Sequence, residues 1–75
     1  MTLTQLKYVL AIAKAGTINA AAKQLFISQP TLSSAVKELE AELGISLFNR
    51  TSKGVEPTAD GEEFLSYARQ VVMQT

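Results

Sequence analysis

Ser28, Gln29, Thr31, Ser33, Ser34 and Lys37 bring hydroxyl, amide and ammonium groups together in one short stretch, with Pro30 among them. Such groups recognise by hydrogen bonding and charge. The chain has no Cys and no His, which removes thiol and imidazole catalysis, most zinc sites and every disulfide. Glu38, Glu40 and Glu42 follow one another at a spacing of two, so on a helix their carboxylates point apart and make no acid/base pair. No catalytic, metal or cofactor site is therefore expected, and no nucleophile, base and pocket can be assembled. A helix with small side chains on one face can sink into a major groove while Gln, Ser and Thr reach base edges or phosphates. The same stretch also suits a surface helix with a solvated polar face.

The element that must carry these groups starts at Ser28, whose hydroxyl can cap a helix, with Pro30 in the first turn where its missing N–H costs nothing. At about 100° per residue, Leu32, Val36, Leu39 and Leu43 fall on one stripe, and Pro30, Ser33, Ser34, Lys37 and Ala41 fall roughly opposite. Gly44 closes this helix. Before it, a first helix is predicted over residues 2–15, with Leu3, Leu6, Leu10 and Ala13 as its core stripe, Val9 beside them, and Tyr8 and Ile12 on a second face. Gly16 supplies its stop and Thr17 caps a second helix, Ile18–Leu25, whose alanines at 20 to 22 permit close approach. The link Phe26-Ile27-Ser28 is long enough only for a sharp turn, which makes a helix-turn-helix pair over residues 18–37. A small helical bundle with a short loop is the competing architecture.

Beyond Gly44 the spacing predicts a hairpin, or wing, over residues 45–57: a strand at 45–50, a turn at Thr51-Ser52-Lys53-Gly54, and an extended run Val55-Glu56-Pro57. Arg50, Thr51 and Lys53 cluster two cations with a hydroxyl there, a composition suited to phosphate or a narrow minor groove, and equally to a solvated turn. Thr58 caps a last helix with Asp60, Glu62 and Glu63 in its opening turns, well placed against the helix dipole. Its apolar residues Phe64, Leu65, Ala68, Val71 and Val72 recur as i, i+1, i+4, i+7, i+8, a coiled-coil-like stripe that runs almost to the last residue without a stop signal. The helix is expected to continue as a linker in a longer chain and to pair two subunits. Packing of the same stripe on the first helix is the alternative.

Seventy-five residues make one small domain, able to bury about 60% of its unfolded surface and too small for a deep substrate cavity. The net charge is zero, yet unevenly spread. Residues 1–55 hold six cations and three anions, net +3, whereas residues 56–75 hold one cation and four anions, net −3. A basic body with an acidic last segment is expected to meet a polyanion through the body, with a modest electrostatic share per subunit that makes pairing matter. No apolar run approaches the roughly 18 residues of a membrane span, and no secretory leader pattern is present, so a soluble, cytoplasmic protein is expected.

In their order, Leu6, Gly16-Thr17-Ile18, Ala21-Ala22, Leu25, Ile27-Ser28-Gln29-Pro30, Ser33, Leu39-Glu40, Leu43-Gly44, Leu47-Phe48-Asn49-Arg50 and Thr58-Ala59-Asp60-Gly61 resemble the successive motifs of the DNA-binding region of LysR-type transcriptional regulators. The resemblance covers nearly the whole chain. It implies a mainly α fold: a winged helix-turn-helix of three helices and a small β-hairpin over residues 1–58, then a long linker and dimerisation helix over 59–75. It also implies a double-stranded DNA operator as partner, bound by a homodimer, and a small-molecule effector acting only through a C-terminal domain absent from these residues. Carried over, Gln29, Pro30, Thr31 and Ser33 become the leading edge of the recognition helix, and Thr17 and Lys37 become phosphate contacts. Arg50, Thr51 and Lys53 become the wing beside the minor groove, Leu39, Leu43, Leu47 and Phe48 become core, and Glu40 becomes structural, since an anion facing DNA would be repelled. Phe64, Leu65, Ala68, Val71 and Val72 become the dimer contact. Two such subunits would place their recognition helices in successive major grooves ~34 Å apart.

Three positions depart from the family pattern: Ser34 stands where arginine is common, Ala35 where glutamine is frequent, and Val9 where phenylalanine is usual. A helical protein-interaction module, pairing through the last helix without touching nucleic acid, is the rival reading, and joint replacement of Lys37, Arg50 and Lys53 by alanine separates the two. A missing guanidinium removes a possible bidentate base contact worth ~1–3 kcal/mol of discrimination. Ser34→Arg is accordingly expected to tighten DNA binding, with selectivity lowered where the guanidinium meets a phosphate instead of a base edge, measured by anisotropy on target and random duplexes; unchanged affinity for both would place residue 34 out of reach of the duplex.

Overall fold

A hydroxyl side chain opens every helix in the computed structural model, which describes residues 1–74. The order is α1 (Leu3–Ala15), α2 (Ile18–Leu25), α3 (Gln29–Leu43), β1 (Phe48–Thr51), β2 (Gly54–Pro57) and α4 (Ala59–Met73). Thr2, Thr17, Ser28 and Thr58 each accept the backbone N–H three residues on, from Gln5, Ala20, Thr31 and Gly61. Each satisfies a donor that the helix itself cannot, a contribution of about 1 kcal/mol per cap. At Thr2 the bond is returned, because the Gln5 side chain accepts from the Thr2 N–H at 3.0 Å. The first three helices end on left-handed residues, Gly16, Phe26 and Gly44.

The core is built around α1, which packs on α2, α3 and α4. Its buried residues are Leu6, Val9 and Ile12, while Leu10 and Ala13 are half-buried and Leu3 is 37% exposed. This revises the expected stripe Leu3, Leu6, Leu10, Ala13. A helix covered from several sides buries a line that slants across both of its apolar faces, and Ile12 on the second face becomes fully enclosed. Ala21 and Ala22 bring α2 close, Leu32, Val36 and Leu39 fill the α3 side with Leu43 half-buried, and Leu65 and Ala68 close the core from α4.

Between α3 and the hairpin, Leu47 is held at every group it has. Its side chain is fully buried, its N–H donates to Glu40 Oε2 at 2.7 Å, and its carbonyl accepts from the Thr58 N–H at 3.0 Å. Thr58 adds a bond from its hydroxyl to the Ser46 carbonyl at 2.6 Å. Gly61, buried on the first turn of α4, lies so close to the Leu47 carbonyl that no Cβ would fit there. The first strand therefore begins at Phe48 and not at residue 45. Backbone groups committed to Glu40 and Thr58 are not available to a strand ladder. From Phe48 the hairpin is regular and antiparallel, pairing Phe48 with Pro57, Asn49 with Glu56, Arg50 with Val55 and Thr51 with Gly54.

A half-buried hydrogen bond to a carboxylate contributes about 1.5–3 kcal/mol. Glu40→Ala is expected to lower unfolding free energy by about that amount in urea titration, and Glu40→Gln, which keeps an acceptor, by less than half as much. Wild-type stability in the alanine variant would show that the Leu47 N–H does not depend on this side chain.

Candidate nucleic-acid interface

The outer surface of α3 presents two strips. Gln29, Pro30, Thr31 and Ser34 are exposed, Ala35 is half-buried, and Pro30, Thr31, Ser34 and Ala35 line a shallow recess that ends at Glu38. Ser28 sets this edge by two bonds: its hydroxyl accepts the Thr31 N–H at 3.2 Å and donates to Thr31 Oγ1 at 2.8 Å. The Thr31 hydroxyl, already accepting, keeps its own hydrogen to donate outward. The second strip turns toward the hairpin. There Ser33, Lys37 and Glu40 of α3 face Phe48, Arg50 and Val55 across a crevice of about 130 Å³.

The hairpin divides the three residues expected to act together. Side chains alternate along a strand, so Phe48 and Arg50 share the crevice face with Val55, the cross-strand partner of Arg50, while Thr51 belongs to the other face. Thr51 Oγ1 accepts the Lys53 N–H at 3.2 Å, which braces the two-residue turn, and Lys53 is exposed at the tip. At the start of β2, directly after its two-residue turn, the hairpin is tied to the turn between α1 and α2, where the Val55 N–H donates to the Gly16 carbonyl at 2.9 Å. Gly54, at φ 146°, passes so near the Gly16 carbonyl and the Thr17 methyl that a side chain would overlap both. Thr17 is half-buried and caps α2. The hairpin, the α1–α2 turn and the start of α2 are thus locked in one arrangement.

On α4, Leu65 and Ala68 are enclosed by the chain's own core, which withdraws them from the residues able to meet a partner. The alternative reading of that stripe, packing on α1, holds for these two. Phe64, Val71 and Val72 are half-buried, and the exposed apolar groups are Tyr67 at 50% and Met73 at 84%. The Phe64 and Tyr67 rings lie 6.0 Å apart, tilted by 47°. Sequence reasoning passed over Tyr67, although its place three residues after Phe64 marks it as a neighbour on the helix surface. It also passed over Phe26, which is 95% exposed with φ 60°. The predicted linker segment ends at Thr75, outside the described residues.

Among the described residues the one ion pair joins the Met1 ammonium to Glu42 at 2.6 Å. Lys37, Arg50 and Lys53 are left uncommitted at the surface. No group of three or more His, Cys, Asp or Glu is placed to hold a metal ion among those residues, and no helix there is long and apolar enough to cross a membrane.

A polar-edged second helix of a tight helical pair, flanked by a docked hairpin, defines a winged helix-turn-helix domain of the kind that meets DNA. The model for bacterial regulatory helix-turn-helix proteins of the lysR family matches residues 3–62, and the chain belongs to that family of transcriptional regulators. The HTH-type transcriptional regulator TfdT of Cupriavidus pinatubonensis is 47% identical over 72 residues, which cover 96% of this chain and 32% of TfdT. The chain therefore spans about a third of that relative's length. The DNA-binding domain of CbnR in complex with DNA superposes with a TM-score of 0.94 at 44% identity, covering 99% of this chain and 85% of that one. The BenM DNA-binding domain bound to benA site 1 DNA gives 0.94 at 38% identity, covering 99% and 83%.

Overlap at position 54 gives a test of the docked hairpin. Gly54→Ala is expected to break the Val55–Gly16 bond, speed hydrogen exchange of the Val55 amide, and cost ~1–3 kcal/mol of stability. Unchanged protection at Val55 would show that the hairpin does not depend on this contact.

Proposed function

We propose that the chain binds double-stranded DNA at a specific sequence, without chemistry, as half of a symmetric pair. The observation that carries this reading is the exposed edge Gln29, Pro30, Thr31 and Ser34 at the start of α3, on a domain superposable on the CbnR and BenM domains in their DNA complexes. Gln29 and Thr31 supply hydrogen bonds to base edges, Pro30 and Ser34 permit close approach, and Ser33 and Lys37 lie beside the backbone. Thr17 offers its hydroxyl hydrogen to a phosphate while it caps α2. Thr51 and Lys53 place the hairpin tip against the flanking groove.

Pairing falls to the outer surface of α4, through Phe64, Tyr67, Val71 and Val72, with Leu65 and Ala68 fixing that helix on the domain. Residues 1–58 act as the DNA-reading unit and 59–75 as the start of a linker. That the chain covers 32% of TfdT supports reading it as the DNA-binding part of a longer regulator; a further domain that takes a small-molecule effector, and work in the cytoplasm, belong to the same proposal.

Selection of bound sequences from random duplexes, followed by anisotropy at two salt concentrations, tests the reading. Enrichment of a two-fold symmetric site with half-sites ~34 Å apart, bound with an affinity that falls steeply with salt, is expected. Absence of binding where the chain is dimeric would overturn it in favour of a protein-interaction module.

A further inference from the structure

The crevice between α3 and the hairpin carries a cluster whose role does not follow from base reading. Lys37 comes from α3 and Arg50 from β1, yet both line it, with the half-buried hydroxyl residue Ser33 beside them. Its walls include the apolar side chains Phe48 and Val55, which exclude water from one side and strengthen charge interactions at its mouth. Neither cation has an ion-pair partner among the described residues. Glu40 also lines the crevice, with one carboxylate oxygen held by the Leu47 N–H. Two cations and one anion leave a net charge of +1, which a single phosphodiester would balance.

We infer that Ser33, Lys37 and Arg50 form a seat for one DNA backbone phosphate, so that Arg50 fixes the register of the recognition helix from the wing and does not read the minor groove. The inference rests on the proposed DNA binding. The strand alternation that turns Arg50 toward α3, and away from the face of Thr51, separates it from the hairpin tip. Lys53 is left as the cation able to enter a groove. Arginine's planar fork suits bidentate contact with phosphate, and a seat shared between α3 and the wing lets one phosphate hold both elements in place.

Selected duplexes and the chain itself supply the test. Each neutralised phosphate contributes a slope of ~0.9 in log K against log salt. With a shared seat, Lys37→Ala and Arg50→Ala each lower the slope by less than that, and the double variant by about 0.9 in all. A scan of neutral methylphosphonate linkages should find one position per half-site where wild type loses roughly tenfold in affinity, the worth of one charged hydrogen bond, while the double variant loses less than twofold. Arg50→Lys should keep the salt slope and lose part of the affinity. Circular dichroism melts of each variant separate loss of contact from loss of fold. Slopes that fall by two phosphates in the double variant, no such linkage position, or an Arg50→Ala effect that depends on A·T against G·C flanks would each overturn the shared seat and leave DNA binding standing. Failure of wild type to enrich any site would overturn both.

Discussion

Leu47 is the residue through which α3, the hairpin and α4 are fixed to one another. Its side chain is in the core, its amide is held by a carboxylate from α3, and its carbonyl is held by the residue that caps α4. Three successive elements thus depend on one peptide segment too short to contribute much burial alone. Hydrogen bonds of this kind contribute at most a few kcal/mol when made, and losing one partner also leaves the other buried and unpaired at its full desolvation cost. That asymmetry makes Leu47 a constraint on geometry more than a source of net stability. Gly61 belongs to the same constraint, because only a missing Cβ lets the first turn of α4 come this close.

From that junction the division of labour follows. α3 buries one stripe and exposes two others, the recess edge toward open solvent and the crevice edge toward the hairpin. α4 turns Leu65 and Ala68 inward and leaves Phe64 and Tyr67 as an aromatic pair on its outside. A chain with no net charge still offers cations where α3 meets the hairpin, because three of its seven acids lie on α4 and two more, Glu40 and Glu42, are engaged by the backbone and the N-terminus.

Much of this was legible in the residues. The caps at Thr17, Ser28 and Thr58, the stops at Gly16 and Gly44, and the buried stripe Leu32, Val36 and Leu39 all express local rules in which a residue type and its spacing determine the outcome. What escaped depends on contacts between elements. The delayed start of β1 follows from Glu40 reaching seven residues along the chain to Leu47. The withdrawal of Leu65 and Ala68 follows from α1 lying beside them, and a stripe alone does not say which body covers it. Arg50 and Thr51 read as one cluster along the sequence, yet a pleated strand sends neighbours to opposite faces. Phe26 carried no signal at all, since its left-handed backbone and exposed ring run against the usual preference for glycine or asparagine at such an end.

The attachment of the hairpin to the α1–α2 turn, at the first residues of β2, has a consequence for how domains built this way can vary in length. With Val55 bonded to Gly16 and Gly54 pressed against it, an insertion within either strand would shift the register that sets these contacts and part the hairpin from the helices. Ser52 and Lys53 lie beyond the last strand pair and are exposed. Extra residues there would extend the tip without moving Arg50 or α3, so the hairpin can lengthen past its anchorage without disturbing it.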